Sequence, residues 1–525
     1  MADSNPPSPQ KRIVPAEEYT ASQTALQNHP IAIAWRQLSY VWSMALLGFA
    51  LFVVVYGMSR QWTNPPWHPR DGHPALEITL FFVMLFWIAL LEGCQISIVG
   101  LQNVNVEAYK DTYPRGYAVC KLAHRGPNVE RFLVGRQFLL LFNGFLVSRI
   151  GGGKHEDFYI GDWDWNDSAT DFFWLNSTLL MIVIIALGQL PTQLMAADKM
   201  LGFLDLRFYG YYTVLLPCLF VESIGLTHST YLLKDILVSV AGIDRSQADP
   251  EKEIPRDFLH NIRVFISVSA VIFSGVFIVK GWALGQTGAT TGPGWENLPG
   301  GAAVAVGCLF LFIMACAEGL QVSALALAGT HTAEFKQRAP LAYRTCQLCF
   351  AGRNMQAFLV GRQFFVAMMM VLLARVTGYA GSDGEIDGND WGMGRAFNEG
   401  LLQTGFLGAI FVVNVAQLAS QVLASVFPIS FINNHFLNWL LRIMLLVEAS
   451  GVVNACWPLA RFFDWAFGMV KDPFEDDEDI KTPAHDILER KKSMGIPVAK
   501  GASPFDLHQP EQEYHVEYTY QVSYV

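Results

Sequence analysis

The apolar residues of this chain are gathered into long runs separated by short polar stretches. "LSYVWSMALLGFALFVVVYG" (Leu38–Gly57) and "VFISVSAVIFSGVFIV" (Val264–Val279) are two of them. A helix rising about 1.5 Å per residue needs about 20 predominantly apolar residues to cross a bilayer core. The pattern predicts such helices at roughly 38–58, 77–102, 132–150, 172–195, 210–230, 262–281, 301–329, 356–377, 401–427 and 436–466. A membrane β-barrel would instead show short segments of alternating polarity. The expected fold class is therefore an all-α polytopic membrane protein with about ten transmembrane helices.

The runs repeat. "EGCQIS" (Glu92–Ser97) returns as "EGLQVS" (Glu318–Ser323), and "FLVGRQF" at Phe132–Phe138 returns unchanged at Phe358–Phe364. Both lie 226 positions apart, as do Tyr117 and Tyr343, Cys120 and Cys346, Arg149 and Arg375, and Glu222 of "VESIG" and Glu448 of "VEASG". "QLPTQLMA" from Gln189 matches "QLASQVLA" from Gln417 with a two-residue slip in the preceding loop. A single register held through several helices marks a duplication. It divides the chain into a disordered cytoplasmic N-terminal tail (1–36), a first repeat (37–233), a linker (234–261), a second repeat (262–468) and a polar C-terminal tail (469–525).

Five helices per repeat, an odd number, predicts two halves of inverted topology, with a site at the midplane between them. Lys110, Arg115, Lys121, Arg125 and Arg131 mark the first half's second loop as cytoplasmic. Inversion would put its counterpart outside, yet Lys336, Arg338, Arg344 and Arg353 make that loop basic too. The sequons at Asn166 and Asn176 suit a loop facing outside, with Asn166 the better acceptor.

Composition agrees with the pattern. Apolar residues make up 52% and charged ones 16%, against roughly 25% charged in soluble domains. The net charge of −10 owes much to the tail block "DPFEDDED" (Asp472–Asp479), so no nucleic-acid partner is expected. Most of the eight cysteines lie in apolar runs and read as small hydrophobes. Cys346-x-x-Cys349 is weak support for metal or redox chemistry, and the D-x-D of "GDWDWND" (Gly161–Asp167) reads better as a solvated loop. No metalloprotease, P-loop or nucleophile-elbow motif is present, so neither an enzyme nor an ATP-driven pump is expected.

The candidate chemistry is a set of polar residues inside apolar helices. An intramembrane carboxylate costs on the order of 3 kcal/mol on insertion scales, so it is expected to be paired or functional. Glu92, Glu318, Glu222 and Glu448, with Arg136 and Arg362, form that set. Glu92 and Gln95 share a helix face, as do Glu318 and Gln321. Gly93 and Gly319 permit either close approach of another backbone or an unwound turn with free carbonyls. One reading makes Glu–Arg bridges that lock helix packing. The other makes a hydrophilic pocket, whose carboxamides both donate and accept and so suit a small neutral polyhydroxyl solute.

Paired EGxQ and GRQ motifs, one set per half, resemble the silicon transporters of diatoms and other silicifying eukaryotes. Here they are Glu92-Gly-Cys-Gln95 with Gly135-Arg136-Gln137, and Glu318-Gly-Leu-Gln321 with Gly361-Arg362-Gln363. The resemblance covers roughly residues 35–470 and implies sodium-coupled uptake of orthosilicic acid, with sodium as coupling ion and no other cofactor. It implies substrate binding by Glu92, Gln95, Gln137, Glu318, Gln321 and Gln363, with Gly93, Gly135, Arg136, Gly319, Gly361 and Arg362 in support. Glu92 or Glu318 is the expected sodium ligand, and Glu222 with Glu448 an expected gating pair. A multi-pass protein of the plasma membrane is expected, with a silica-deposition vesicle membrane and homo-oligomers left open. A passive channel for small neutral hydroxylated solutes is the alternative.

Overall fold

The structure, a computed structural model, describes residues 29–63, 73–102, 104, 106–154, 158–160, 163–241, 256–291, 298–327, 335–351, 354–379 and 397–468. Both tails beyond these limits, the acidic block, residues 242–255 of the 234–261 linker, Arg353 and the first aspartate of the D-x-D lie outside the described residues.

The first half comprises α1 (Pro30–Ser59), α2 (Pro74–Gly100), α3 (Pro114–Ala123) and α4 (Asn128–Gly151). It continues with α5 (Asp167–Asp198), α6 (Tyr211–Ile224) and α7 (Ser229–Ala241). The second half follows with α8 (Phe258–Leu284), α9 (Gly300–Ala326), α10 (Pro340–Cys349) and α11 (Asn354–Thr377). Helices α12 (Phe406–Val426), α13 (His435–Ser450) and α14 (Cys456–Phe467) complete it. Proline opens α1, α2, α3 and α10, where its missing N–H costs nothing. Strands β1 (Tyr159–Ile160) and β2 (Trp163–Asp164) make one small hairpin before α5.

The duplication is visible in detail. Helices α2, α3 and α4 begin and end 226 residues before α9, α10 and α11. Asp205 Oδ1 accepts from the Arg115 and Gly116 amides at the start of α3, and Asn433 Oδ1 accepts from Leu341 and Ala342 at the start of α10. Both satisfy donors that a helix start leaves orphaned.

The two halves lie parallel, and the expected inversion is corrected. Gly144 in α4 packs on Met370 in α11, and these are equivalent positions. At the carboxyl end of α4, Arg149 Nη2 donates to the Tyr379 carbonyl at 3.1 Å, just past the carboxyl end of α11. Reciprocally, Arg375 Nη1 in α11 donates to the Leu175 carbonyl at 2.6 Å, in the first turns of α5. Helices α4 and α11 each have 24 residues, about 36 Å at 1.5 Å per residue. Inverted halves would hold those carboxyl ends about that far apart.

The helix count explains the correction. Among the described residues, eight helices (α1, α2, α4, α5, α8, α9, α11 and α12) are long and apolar enough to cross a membrane. Helix α6 is a shorter apolar helix, and α13 has 16 residues, about 24 Å against a core of about 30 Å. The expected helices at 210–230 and 436–466 are each broken, at Gly225 (φ +95°) and Gly451 (φ +81°), both left-handed. Helix α6 runs back along α4, with the Cys218 carbonyl against Gly135 and Glu222 against Arg131. Four such helices per half among the described residues, an even number, agree with parallel halves that carry both basic loops on one face.

Candidate functional site

The residues of the four repeated phrases converge. Glu92, Gln95, Arg136, Gln137, Glu318, Gln321, Arg362 and Gln363 all line one cavity of about 540 Å³ between the halves. It reaches toward the face bearing the basic loops, past Asp198 at the end of α5 and past Trp457 and Arg461 on α14.

Each acid is held by its own arginine. Arg136 Nη2 donates to Glu92 Oε2 at 2.5 Å, and both side chains are buried. Arg136 is further fixed by the Leu91 carbonyl at 3.2 Å and by Gln137 Oε1 at 3.0 Å. In the second half Arg362 Nη1 approaches Glu318 Oε2 at 3.5 Å, and Arg362 Nη2 donates to Gln363 Oε1. Two carboxylates and two guanidiniums balance, so the buried polar belt carries no net charge.

The halves meet at Gln363. Its Nε2 donates to Glu92 Oε1 at 3.3 Å and to Gln189 Oε1 at 3.1 Å, both in the other repeat. The arrangement is not symmetric. Glu92 Oε2 also accepts from Gln193 Nε2 at 2.6 Å, so that oxygen is tightly engaged, while Oε1 has the 3.3 Å bond from Gln363. Glu318 is held more loosely, by Gln421 at 3.0 Å, Gln417 at 3.4 Å and Arg362 at 3.5 Å.

Four glutamines here escaped the sequence reading: Gln189, Gln193, Gln417 and Gln421. Each pair is four apart, and a π-helical turn interrupts the helix beside it, at Ile184–Gln189 in α5 and Val413–Leu418 in α12. Such turns re-aim side chains and are frequent at functional sites. The signal lies in the sequence, where "QLPTQLMA" returns as "QLASQVLA" with both glutamines kept.

The glycines are packing positions. A Cβ on Gly135 would stand 1.9 Å from the Cys218 carbonyl oxygen, and one on Gly361 2.0 Å from that of Met444. Gly93 and Gly319 each face a phenylalanine ring, Phe203 and Phe431, rather than another backbone. Helices α2 and α9 run unbroken through them, so no unwound turn forms.

Glu222 and Glu448 lie outside the cavity and differ from each other. Glu222 is buried, bonded to Arg131 Nε at 2.8 Å, with His228 Nε2 at 3.4 Å. Positions equivalent to Arg131 and His228 hold Ala357 and Asn454, and Glu448 is half-buried. Burial pushes His228 down to about 4. Burial also pushes the Cys346 and Cys349 thiols up to about 12, so they are unreactive small hydrophobes. Among the described residues no cluster of three or more His, Cys, Asp or Glu is placed to hold a metal ion.

A family model described as silicon transporter matches residues 31–503, most of the chain. The chain belongs to that family. No curated protein and no solved structure matches it.

Proposed function

We propose that this member of the silicon transporter family moves orthosilicic acid by alternating access through the cavity between its halves, coupled to sodium. The observation that carries the reading is the convergence of both EGxQ and both GRQ motifs on one cavity that opens toward one face. Silicic acid is a small neutral tetrahydroxy solute. A charge-balanced belt bordered by carboxamides offers its hydroxyls donors and acceptors together, while a bulky anion would unbalance it.

Gln95, Gln137, Gln321 and Gln363 bind the solute, and Arg136 and Arg362 hold the acids in place. Glu318 is the better sodium ligand, since its Oε2 is held at 3.0 and 3.5 Å where Glu92 Oε2 is held at 2.5 and 2.6 Å by Arg136 and Gln193. Sodium binds oxygen ligands, and a loosely held carboxylate reorganises for it at less cost. The face carrying both basic loops is cytoplasmic by the positive-inside rule, which makes this an inward-open state. Exposed Asn166 then lies at the outer face, as its sequon requires. The plasma membrane suits an uptake role.

Uptake of silicic acid by cells expressing the chain tests the site. Losing one solute hydrogen bond is worth about 1 kcal/mol, so Gln137→Ala should raise KM roughly fivefold to tenfold at normal surface expression. Unchanged kinetics would remove Gln137 from the site. A channel would show uptake indifferent to replacing sodium in the medium by choline.

A further inference from the structure

A duplicated protein with parallel halves builds each off-axis cleft twice, once on each side of its pseudo-twofold axis. The second copy is present here. A cavity of about 20 Å³ is lined by Leu133, Val134 and Tyr231, and their equivalents Leu359, Val360 and Trp457 line the 540 Å³ cavity. The two cavities share Gln95, Arg136, Gln137 and Gln421, so both lead to the same polar belt. One is open and the other shut.

The difference lies in ion pairs that only one half possesses. Lys234 of α7 donates at 2.7 Å to Glu130 of α4, which lines the small cavity together with Tyr231 of α7. The equivalent positions are Ala460 of α14 and Gln356 of α11, which cannot form an ion pair. Arg131 and Glu222 add a second bridge at 2.8 Å beside the first, and there the other half has Ala357. Helix α14 is tied elsewhere: Lys199 at the end of α5 donates to Asp464 at 2.5 Å. The equivalents of that pair are Phe427 and Val238. Helix α7 is thus fastened to α4 and closes its cleft, while α14 is fastened to α5 and leaves the cleft beside α11 open.

We infer that the Glu130–Lys234 ion pair plugs the second of two equivalent clefts, so that the duplicated protein has one solute route to its basic face. The inference rests on the proposed transport role only for the word route, because the plug itself is a matter of access. A transporter with two unplugged inner clefts would offer the polar belt two exits, and solute and coupling ion could leave by different ones. Divergence of four positions at the mouth, Glu130, Lys234, Gln356 and Ala460, keeps a single exit.

Thiol accessibility tests this directly. In the full-length chain with the exposed Cys308 replaced by serine, single cysteines are placed as Leu133→Cys and Leu359→Cys. A membrane-impermeant charged methanethiosulfonate is applied to membranes exposing the basic face. Leu359→Cys should react at least tenfold faster than Leu133→Cys. Adding Glu130→Gln and Lys234→Ala, which copy the open half, should bring Leu133→Cys to within about threefold of Leu359→Cys. The swapped pair Glu130→Lys with Lys234→Glu should keep it protected and shows that charge pairing, rather than damage, governs access. Equal reactivity in the parent, or protection that survives loss of the pair, would overturn the inference. Failure of silicic acid uptake with the labelling as expected would count against the transport reading and leave the plug standing.

Discussion

Single residues in this site carry more than one duty, and the geometry separates them. Gly135 and Gly361 serve close packing, since a methyl group would strike the carbonyls of α6 and α13. Overpacking of this kind costs typically 1–3 kcal/mol. Gly135→Ala should therefore lower the unfolding midpoint of the detergent-purified protein, and an unchanged midpoint would show that α6 can withdraw freely. Arg136 serves charge balance. Arg136→Met strands the Glu92 carboxylate in a buried setting, a loss of about 3–5 kcal/mol. Adding Glu92→Gln should recover part of the midpoint, because the stranded charge is gone. No recovery would mean that Arg136 acts through its bonds to Leu91 and Gln137 instead.

At the level of elements, the paired π-turns of α5 and α12 decide where the second ring of glutamines points. Hydrophobic periodicity registers that a helix is buried but is blind to a one-residue widening within it. That is why the sequence assigns Gln189, Gln193, Gln417 and Gln421 no role, while the repeated phrases of α2, α4, α9 and α11 stand out as polar residues inside apolar helices. The turn after α6 has its own signature. His228 is buried against Glu222, Tyr231 and His260, and its folded value of about 4 lies below the ordinary 6.5. Above pH 6.5 the imidazole is neutral folded or unfolded, and its contribution to stability is intact. As pH falls from 6.5 toward 4 only the unfolded chain takes up the proton, so stability declines, by about 3 kcal/mol at full effect. His228→Asn, which copies Asn454, should flatten the pH dependence of the unfolding midpoint in that window. An unaltered acid limb would assign the effect to other groups.

The whole molecule turns on parity. Hydropathy found the apolar segments, and the 226-residue register found the duplication, but neither separates a helix that crosses from one that returns. Residues 210–230 and 436–466 are long enough to read as spans until Gly225 and Gly451 break them, and each miscount changes an odd repeat into an even one. The basic second loop, with Lys336, Arg338 and Arg344, was the sequence's own objection to inversion, and the shared face of the two halves answers it. Arg149 and Arg375, reaching across to carbonyls of the opposite half, now stand at the closed end of the molecule, opposite the cavity mouth. In the sequence they are legible only as a repeated pair, because their partners are mostly backbone carbonyls, with the Asn176 side chain at 3.0 Å from Arg375 the exception. The polar belt thus lies between parallel halves, with the cavity on one side of it and the joined carboxyl ends of α4 and α11 on the other. The most direct measurement is silicic acid accumulation in proteoliposomes holding the purified chain, under an inward sodium gradient and with choline in its place. Accumulation above the external concentration with sodium alone is the predicted result. Rapid equilibration to the external level with either cation would contradict the coupled carrier and make the cavity part of a channel.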